Sequence, residues 1–461
     1  MKNNTVIVGG GIAGLMSAYI LSKTTEDNII VIEQENEVGG LLKKFDYGKY
    51  GVFDHGMHNI LQTTIKELDD MIFNLLPTEE WQILDDNKRD LVGLYVNNNI
   101  QINSPYIDIR NFENYDDYLS DFFDNYSASD INIDDYNSAN EFLKDKYGEK
   151  IVDNILKDIV EKFYKCSISE LDPLSTLVTP LGRVILLNEE VMKEFNKVDT
   201  LRKDLAYSEQ RNLDLSLSSG RKAYYPKNYG IHRVIDSLVE KLKDRGVEFL
   251  LESQITSIEY DNRVNSINVN SSKKVDNINQ FIWTGNLFRL SNFLDIKVNS
   301  EFDIPAKTTV TNIVIDKKLN KVDDVYYMYC YDNKMSTFRV TPYYNYCEGS
   351  KRAGGYPVSV EMLVYDEIDD INKITEQAIL EISEMGLIDD DINILFKKTE
   401  VLKRGFPRPT IKNMKSISSA REKINELRLE NLITTGILAE KNLFFQTDVL
   451  IDLYNKLKGI K

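Results

Sequence analysis

The chain has 461 residues, of which 42% are hydrophobic and 28% are charged. This composition is close to the globular average, so it excludes a disordered, fibrous or membrane-embedded chain. The formal net charge of −17 argues against a nucleic-acid partner, because duplex binding requires a basic surface that displaces counterions. At roughly 100–200 residues per domain, the length predicts two or three domains or one interleaved pair.

Cysteine and histidine are scarce, with three residues of each type. The spacing of Cys166, Cys330 and Cys347 predicts neither a disulfide framework nor a thiolate zinc site, because no C-x-x-C pair occurs. We therefore expect a reducing, cytoplasmic location. No segment approaches the ~20 apolar residues that span a bilayer, so we expect a soluble protein. The oligomeric state is left open.

Within the first half of the chain, the sequence pattern changes from β-α-β to helical. Two short β-branched runs, Thr5–Val8 and Asn28–Ile32, are separated by a glycine-rich segment, which predicts two buried parallel strands with a helix between them. Residues from about 110 to 210 are acidic and mostly helical in period, as in Ala139–Lys165. We interpret this second part as a helical insertion.

The second half returns to strands and helices. A helical pattern after Gly230 ends at Gly246 and is followed by the strand-like run Val247–Leu251. Extended alternation, as in Val325–Tyr331 and Thr337–Tyr344, predicts an antiparallel sheet. Near the end, residues 432–457 repeat the strand, glycine and helix order. The charged run 389–391 predicts only a solvated helix start.

These patterns predict an α/β protein, α+β overall, in which one Rossmann-like domain is discontinuous. Its three parts are expected at residues 1–80, 216–295 and 401–461. A substrate domain would occupy residues 81–215, with the helical insertion, and 296–400, with the antiparallel sheet. This division is supported by sequence patterns of the dinucleotide-binding type, which occur at the start of the chain, near residues 230–290 and at the end.

The most specific motif is G-x-G-x-x-G, which follows the first predicted strand directly and opens a helix. Its glycines allow a tight turn, a close approach of a pyrophosphate and close helix packing, and the helix start offers free N–H groups. An acidic residue at the end of the second strand accepts hydrogen bonds from ribose hydroxyls. The residues expected to bind a dinucleotide here are Gly9, Gly11, Ile12, Ala13, Gly14 and Glu33.

Five residues after Glu33 the chain continues with Gly39-Gly40. This E-x5-G-G extension resembles FAD-binding proteins of the glutathione-reductase-like class, especially the branch of amine oxidases, protoporphyrinogen oxidases and UDP-galactopyranose mutases. The resemblance implies noncovalent FAD as the cofactor, with the glycine pair along it. In that branch Arg or Asn usually follows the pair, whereas this chain has Leu41.

The segment Phe53–Ile60 contains two of the three histidines. No further metal ligands lie nearby in the sequence, so we expect no metal site. The alternative to a functional loop is a turn whose histidines are exposed to solvent. Its Gly56, Met57 and His58 resemble the G-x-H loop that UDP-galactopyranose mutases place against the flavin. The later matches to the cofactor-binding segments of these mutases are Ile255, Gly436, Thr447 and Asp448.

Other positions depart from the mutases. In those enzymes an arginine follows the glycine that matches Gly436, and a tyrosine pair clamps the substrate diphosphate. This chain has Ile437 in the first position and, with a one-residue offset, Phe444 and Phe445 in the others. Without fixed cationic and phenolic donors a diphosphate would be poorly paired. A standard UDP-galactopyranose mutase is therefore disfavoured.

Candidate substrate residues are less specific, because an exposed charge is the alternative for each arginine. We expect substrate contacts from Arg183, Tyr225, Arg339 and Tyr343, of which the last two lie four residues apart on one face of an extended run. Arg404 precedes the final dinucleotide segment, as a basic substrate-facing residue does in this branch. His58 and Arg404 are the expected catalytic residues.

Three functional hypotheses remain open. The first is an FAD-dependent oxidoreductase that transfers a hydride from a small molecule to flavin, where the cofactor supplies the chemistry. The second is a mutase-like isomerase that converts the pyranose of a nucleotide sugar to a furanose. The third is a flavin-binding module without catalysis. A family resemblance indicates a cofactor better than it indicates a reaction.

Overall fold

The computed structural model describes residues 2–85, 91–102, 104–127, 131–214, 221–228, 230–298, 302–350, 354–402, 406–441 and 443–460. Its strands are β1 (Asn4–Val8), β2 (Asn28–Ile32), β3 (Lys44–Asp46), β4 (Val52–Asp54), β5 (Ile60–Leu61), β6 (Trp81–Leu84), β7 (Val92–Val96), β8 (Asn99–Gln101), β9 (Ala223–Pro226), β10 (Glu248–Leu250), β11 (Ile255–Tyr260), β12 (Val264–Val269), β13 (Lys273–Val275), β14 (Ile278–Trp283), β15 (Lys307–Ile315), β16 (Tyr327–Cys330), β17 (Thr337–Pro342), β18 (Tyr356–Val364), β19 (Ile394–Leu402) and β20 (Leu432–Thr434). The α-helices are α1 (Ile12–Leu21), α2 (Lys66–Phe73), α3 (Tyr115–Asn125), α4 (Ala139–Tyr147), α5 (Glu149–Ile151), α6 (Lys157–Tyr164), α7 (Ser175–Val178), α8 (Glu189–Phe195), α9 (Asp199–Asp204), α10 (His232–Asp244), α11 (Leu287–Phe293), α12 (Ile371–Glu384), α13 (Ile411–Glu426) and α14 (Gln446–Leu457).

The first sheet is parallel and has the strand order β10-β2-β1-β14-β20. Its strands come from three stretches of the chain, so β1 pairs with β2 from the N-terminal stretch and with β14 from a stretch some 270 residues later, where Val6 lies opposite Phe281. Strand β20 then pairs with β14. The expected fold class, a discontinuous Rossmann-like sheet accompanied by antiparallel sheets, is confirmed.

Both faces of this parallel sheet are buried. Ile7 and Ile282 belong to the core that includes α1, α10 and α14. Their neighbours Val6 and Phe281 point the other way, into a second core with the antiparallel strands β11–β13 and helices α11 and α13. Because alternate residues of a strand face opposite sides, a strand buried on both sides must be apolar throughout. That requirement accounts for the uninterrupted β-branched runs.

The second large sheet has seven strands in the order β19-β15-β18-β17-β16-β7-β8. It is antiparallel except where β16 runs parallel to β7. One face is apolar, and there Val358 and Val360 of β18 pack with Ala378 and Ile382 of α12. The intervening residues of β18 therefore face the other side, and they include Glu361. On β17 and β18 this second face carries the polar side chains of Arg339, Ser359 and Glu361, and we call this part of the sheet its polar face.

The helical region between residues 107 and 213 packs its own core against the aromatic end of the seven-stranded sheet, including Tyr331 and Phe338. The predicted helical run Ala139–Lys165 is helical but divided: α4 ends at Gly148 (φ +85°), and a π-helical turn, Val152–Leu156, separates α5 from α6. Among the described residues, no helix is long and apolar enough to cross a membrane.

The expectation of a helix start at the charged run 389–391 is wrong. These residues form a turn between α12 and β19. The Asp389 carboxylate accepts hydrogen bonds from the Asp391 N–H (3.0 Å) and from the amide of Asn320 (3.0 Å). Asp side chains favour such local turns as well as helix starts, and the residues that follow form a strand.

We predict that Lys162 anchors the helical region to the sheet. Its ammonium group is buried and donates to the carbonyl oxygens of Cys330 (2.6 Å) and Thr337 (2.9 Å). Lys162→Met would leave both acceptors unpaired and lower the free energy of unfolding by about 1–3 kcal/mol. Urea denaturation followed by circular dichroism measures the change.

The exposed Lys165 at the end of the same helix provides the control. Lys165→Met should change the free energy of unfolding by less than about 0.5 kcal/mol. Equal losses in the two variants would contradict the anchoring role of Lys162.

Candidate dinucleotide and substrate site

The turn between β1 and α1 brings two backbone segments closer than side chains allow. A Cβ added at Gly14 would lie 1.9 Å from the carbonyl oxygen of Gly9. Gly9 has φ +108°, and a Cβ there would lie 2.3 Å from the hydroxyl oxygen of Thr284 at the end of β14. Both positions therefore require glycine. The strand, the helix and the chain after β14 meet at this point.

The start of α1 can receive an anion. Gly11 is its N-cap, and no side chain caps the first turn, in which Ile12 and Ala13 are half-buried. A Cβ on Gly11 would find only Gly40 within 4 Å, at 4.0 Å, and we call the open space beside these two glycines the cleft. Free N–H groups and the partial positive charge of a helix start are suited to a pyrophosphate.

Glu33 lies at the end of β2 with its carboxylate already oriented. One oxygen accepts from the Gly10 N–H (2.8 Å) and the other from the Glu35 N–H (2.9 Å). A carboxylate has about four acceptor positions, so two backbone donors leave capacity for the hydroxyls of a ribose. The fixed geometry favours a bidentate sugar contact.

The glycine pair after β2 borders the same cleft. The N–H of Gly39 donates to the Gly10 carbonyl oxygen (2.7 Å). Both residues have positive φ, +123° for Gly39 and +58° for Gly40, and a Cβ on Gly40 would lie 3.2 Å from the Cα of Gly11. The residues that the sequence singled out for a dinucleotide therefore converge, and their shape and donors fit such a cofactor.

The histidine loop, defined as residues 55–58, follows the hairpin β3–β4. The His55 ring stacks on Phe45 with a centroid distance of 4.0 Å. Gly56 has φ +98°, and a Cβ there would lie 2.9 Å from a Glu361 carboxylate oxygen and 3.2 Å from an Arg339 nitrogen. Met57 is buried in the core that includes α1, α10 and α14. The loop thus lies between these helices and the polar face of the seven-stranded sheet.

Arg339 and Glu361 form a fork on that polar face. They lie opposite each other on β17 and β18, and two guanidinium nitrogens donate to the two carboxylate oxygens, each at 2.8 Å. Their side chains are only 13% and 3% exposed. The pairing raises the pKa of Arg339, while burial opposes the rise. A bidentate pair of this kind holds Arg339 rigidly against the histidine loop.

Both histidines of the loop are neutral at pH 7. Burial and the nearby Arg339 cation lower the pKa of His58 to about 3. Burial also lowers the pKa of His55 to about 4. A neutral imidazole offers one donor and one acceptor. His58 is therefore available for hydrogen bonding rather than as a positive charge.

The residue before the loop, Asp54, is buried and accepts hydrogen bonds from the Tyr225 hydroxyl and the Ile231 N–H (3.1 Å). Tyr225 is 1% exposed, so its hydroxyl is buried and supports the loop through Asp54. Tyr343 is also buried and belongs to the turn that follows β17. The substrate contacts expected of these two tyrosines stay predictions.

The segments near the end of the chain contribute backbone. Gly436 has φ +108°, and a Cβ there would lie 2.9 Å from the Thr284 carbonyl oxygen, which places it beside the turn between β1 and α1. Thr447 and Asp448 lie in the first turn of α14, whose N-cap Phe445 makes no side-chain cap. Ile255 is buried and begins β11. The cofactor contacts of these residues remain predictions.

One candidate arginine, Arg183, is not brought to this place. Arg183 stacks over the Tyr106 ring at 5.3 Å and lies near Lys146 in the helical region. Arg404 lies outside the described residues. In the part of the chain that the structure describes, no group of three or more His, Cys, Asp or Glu could hold a metal ion.

Sequence reasoning missed Asp54 and Glu361. Glu361 is the one charged residue in β18, whose sequence is YPVSVEMLV, and a lone carboxylate in a buried strand signals a partner. Asp54 follows two apolar residues and is separated from the G-x-H match by His55 alone. Each of these signals lies within one short segment. The hydrogen-bond partner of Glu361 is 22 residues away in the sequence, and the Tyr225 partner of Asp54 is 171 residues away.

Comparisons with known proteins agree with this geometry. A family model described as an NAD(P)-binding Rossmann-like domain matches residues 7–72, and no protein of curated function matches the chain in sequence. The structure of reduced UDP-galactopyranose mutase is similar over 100% of this chain and 95% of its own, with a TM-score of 0.77 and 16% identity.

Two other solved structures are similar over nearly their full length. A protein from Exiguobacterium sp. 255-15 classed as a protoporphyrinogen oxidase has a TM-score of 0.68 and 15% identity, covering 100% of this chain and 99% of its own. An oxidoreductase from Methanosarcina mazei has a TM-score of 0.58 and 12% identity, covering 99% and 100%. The protein therefore has the fold that these solved structures share.

We predict that Gly14→Ala destabilises the turn, because the new Cβ would collide with backbone that cannot move aside. The free energy of unfolding should fall by about 1–3 kcal/mol. Gly182→Ala is the matched control, since nothing lies within 4 Å of its Cβ position. Thermal unfolding of both variants, followed by circular dichroism, checks this, and an unchanged Gly14→Ala melting temperature would refute it.

The neutral His58 predicts a pH dependence of stability. Its folded-state pKa of about 3 lies below the value of 6.5 that an unperturbed histidine has, so the unfolded chain binds the proton first as pH falls. Stability is therefore lost below pH 6.5, by up to about 1.4 kcal/mol per pH unit. His58→Asn should show a shallower decline in unfolding free energy between pH 6.5 and 5 than the parent chain. Parallel declines would contradict the assignment.

Proposed function

We propose that the protein is an FAD-dependent oxidoreductase that transfers a hydride from a small-molecule substrate to noncovalent flavin. The observation that carries the proposal is the convergence of a dinucleotide cleft, a G-x-H loop and a polar sheet face at one place. The cleft is bordered by Gly11 and Gly40, and the loop touches the Arg339–Glu361 fork. A hydride acceptor bound in the cleft would have its reactive part beside that fork.

At the cofactor end of the site, the start of α1 and the Glu33 side chain would bind different parts of the cofactor. The first N–H groups of α1 would balance the pyrophosphate charge, which explains how a protein of net charge −17 holds an anionic cofactor. Glu33 would accept the adenosine ribose hydroxyls. An acidic residue at this position disfavours a 2′-phosphate. FAD, which has no such phosphate, fits these donors and acceptors.

The substrate end has two polar components. Neutral His58 would donate or accept one hydrogen bond near the reacting atoms, and Arg339 would present its remaining N–H groups from a fixed position. The chemistry that FAD supplies when bound is acceptance of the hydride. The protein would orient the substrate bond and exclude water.

The absence of any paired-cysteine pattern supports a cytoplasmic location.

A mutase-like isomerase is the second candidate. It is favoured by the full-length structural similarity to reduced UDP-galactopyranose mutase. Ile437 and Phe445 argue against it, because they occupy positions where the mutases carry diphosphate-binding side chains and they are 49% and 47% exposed here. Neither side chain offers a hydrogen bond to a phosphate. We therefore rank the oxidoreductase first.

Two assays separate these candidates. For an oxidoreductase, anaerobic mixing with a panel of amines, alcohols and reduced ring compounds should bleach the flavin absorbance with at least one class. For a mutase, the dithionite-reduced protein should instead convert a nucleotide sugar to its furanose form. A colourless protein that releases no flavin on denaturation would reject both.

The role of Glu33 predicts a specific loss of affinity. Glu33→Gln removes the charge that would bind the ribose hydroxyls, and hydrogen bonds to charged groups contribute about 1.5–3 kcal/mol. The dissociation constant for FAD should therefore rise by roughly 10–100-fold. Glu37→Gln is the control, because that side chain is 59% exposed on the same loop. Titration of the apoprotein with FAD, followed by fluorescence, measures both, and equal affinities would contradict the assignment.

A further inference from the structure

Asp54 connects the histidine loop to a distant helix. It is the last residue of β4, it is 1% exposed, and the loop begins at the next residue. Its carboxylate accepts from the Tyr225 hydroxyl and from the N–H of Ile231, the residue that precedes α10. The loop is thus held from below by two donors that lie more than 170 residues away in the sequence.

The approach of α10 to Asp54 is built into the backbone. Gly230 has φ +94°, and a Cβ at that position would lie 2.4 Å from a carboxylate oxygen of Asp54. One turn further along, the Ile235 side chain lies 3.4 Å from the Cβ position of Gly39. Helix α10 therefore touches both the dinucleotide cleft and the support of the histidine loop. It fixes the distance between them.

The surroundings of Asp54 offer little other compensation for a charge. The titratable groups nearest to it are the phenols of Tyr225, Tyr343 and Tyr346 and the cross-strand Lys44. The Cys347 thiol lies beside Tyr225 and Tyr346, and the His232 imidazole lies beside Gly230. In the described part of the chain, the Tyr346 hydroxyl and the His232 Nδ1 are buried without a hydrogen-bond partner. The two hydrogen bonds to Asp54 therefore decide how its carboxylate is held.

We propose that Asp54 is a positioning residue that holds the histidine loop in the place where it would meet a bound flavin, by tying the loop to the start of α10. The inference rests on the proposed function, since it concerns where the loop meets the flavin. It assigns Asp54 no contact with the cofactor or with the substrate. The hydrogen bonds of Asp54 lead to Tyr225 and Ile231 and not to Gly11 or Gly40, which border the pyrophosphate cleft.

This role makes the loop sensitive to pH. Burial raises the pKa of Asp54 to about 7, although the two donors oppose the rise. Above that value the charged carboxylate accepts from both donors, whereas a protonated carboxyl must give up part of its acceptor capacity. FAD affinity of the parent protein should therefore increase with a one-proton dependence between pH 6 and 8. ADP affinity, which reports on the cleft alone, should stay constant.

The test compares FAD with ADP on the full-length apoprotein. In Asp54→Asn the shape is kept and the charge is lost, so FAD should bind at least about 10-fold more weakly at pH 8 while ADP binding changes less than about two-fold. The pH dependence of FAD binding should also disappear. Asp70→Asn, an exposed carboxylate on α2, is the matched control and should behave as the parent does.

Tyr225→Phe provides a second test that keeps the carboxyl group and the ring packing. It should weaken FAD binding about 3–10-fold and leave ADP unchanged. Unchanged FAD binding in Asp54→Asn, or in Tyr225→Phe if the former does not fold, would overturn the positioning role and leave the proposed function intact. Equal losses for FAD and ADP would overturn it as a general folding effect. A parent protein that binds ADP but no FAD would reject the proposed function itself.

Discussion

The close contact between β1 and α1 is the constraint on which the rest of the structure depends. The turn from the strand into the helix is so tight that Gly14 lies against the Gly9 carbonyl group. A Cβ on Gly14 would lie 1.9 Å from the Gly9 carbonyl oxygen, so there is no room for one. Thr284 adds a third segment, because its hydroxyl oxygen donates to the Val8 carbonyl at 2.8 Å and its own carbonyl lies against Gly436. Three stretches of chain, far apart in the sequence, are therefore fixed at one point. The cleft beside Gly11 exists because they meet there.

A second constraint determines what faces this cleft. Along β18, alternate residues must face either the apolar side of the seven-stranded sheet under α12 or the polar side toward the histidine loop. The alternation in β18 places Val358 and Val360 on the first face and Ser359 and Glu361 on the second. The histidine loop occupies the space between that polar face and the parallel sheet. A rigid Arg339 and a neutral His58 result from this enclosure.

The electrostatics of the site follow from burial rather than from overall charge. The chain carries a net charge of −17, yet the dinucleotide cleft is bordered by backbone N–H groups and a helix start. Removal from water lowers the histidine pKa values and raises that of Asp54 in the same small region. These opposite shifts share one cause, because burial always penalises the charged form. Composition could not have revealed them.

The sequence by itself determined the tight turn between β1 and α1, since Gly9 and Gly14 act through backbone geometry within one β-α-β unit. It also determined the class of fold, through apolar runs and their periods. Only the tertiary structure decided that Arg339 is paired with Glu361, that Tyr225 and Tyr343 are buried, and that Arg183 lies with the helical region. Those outcomes depend on the register of strands and on which distant segments meet. A local pattern carries no information about either, because the pairing energy is gained only once the chain has closed over long loops.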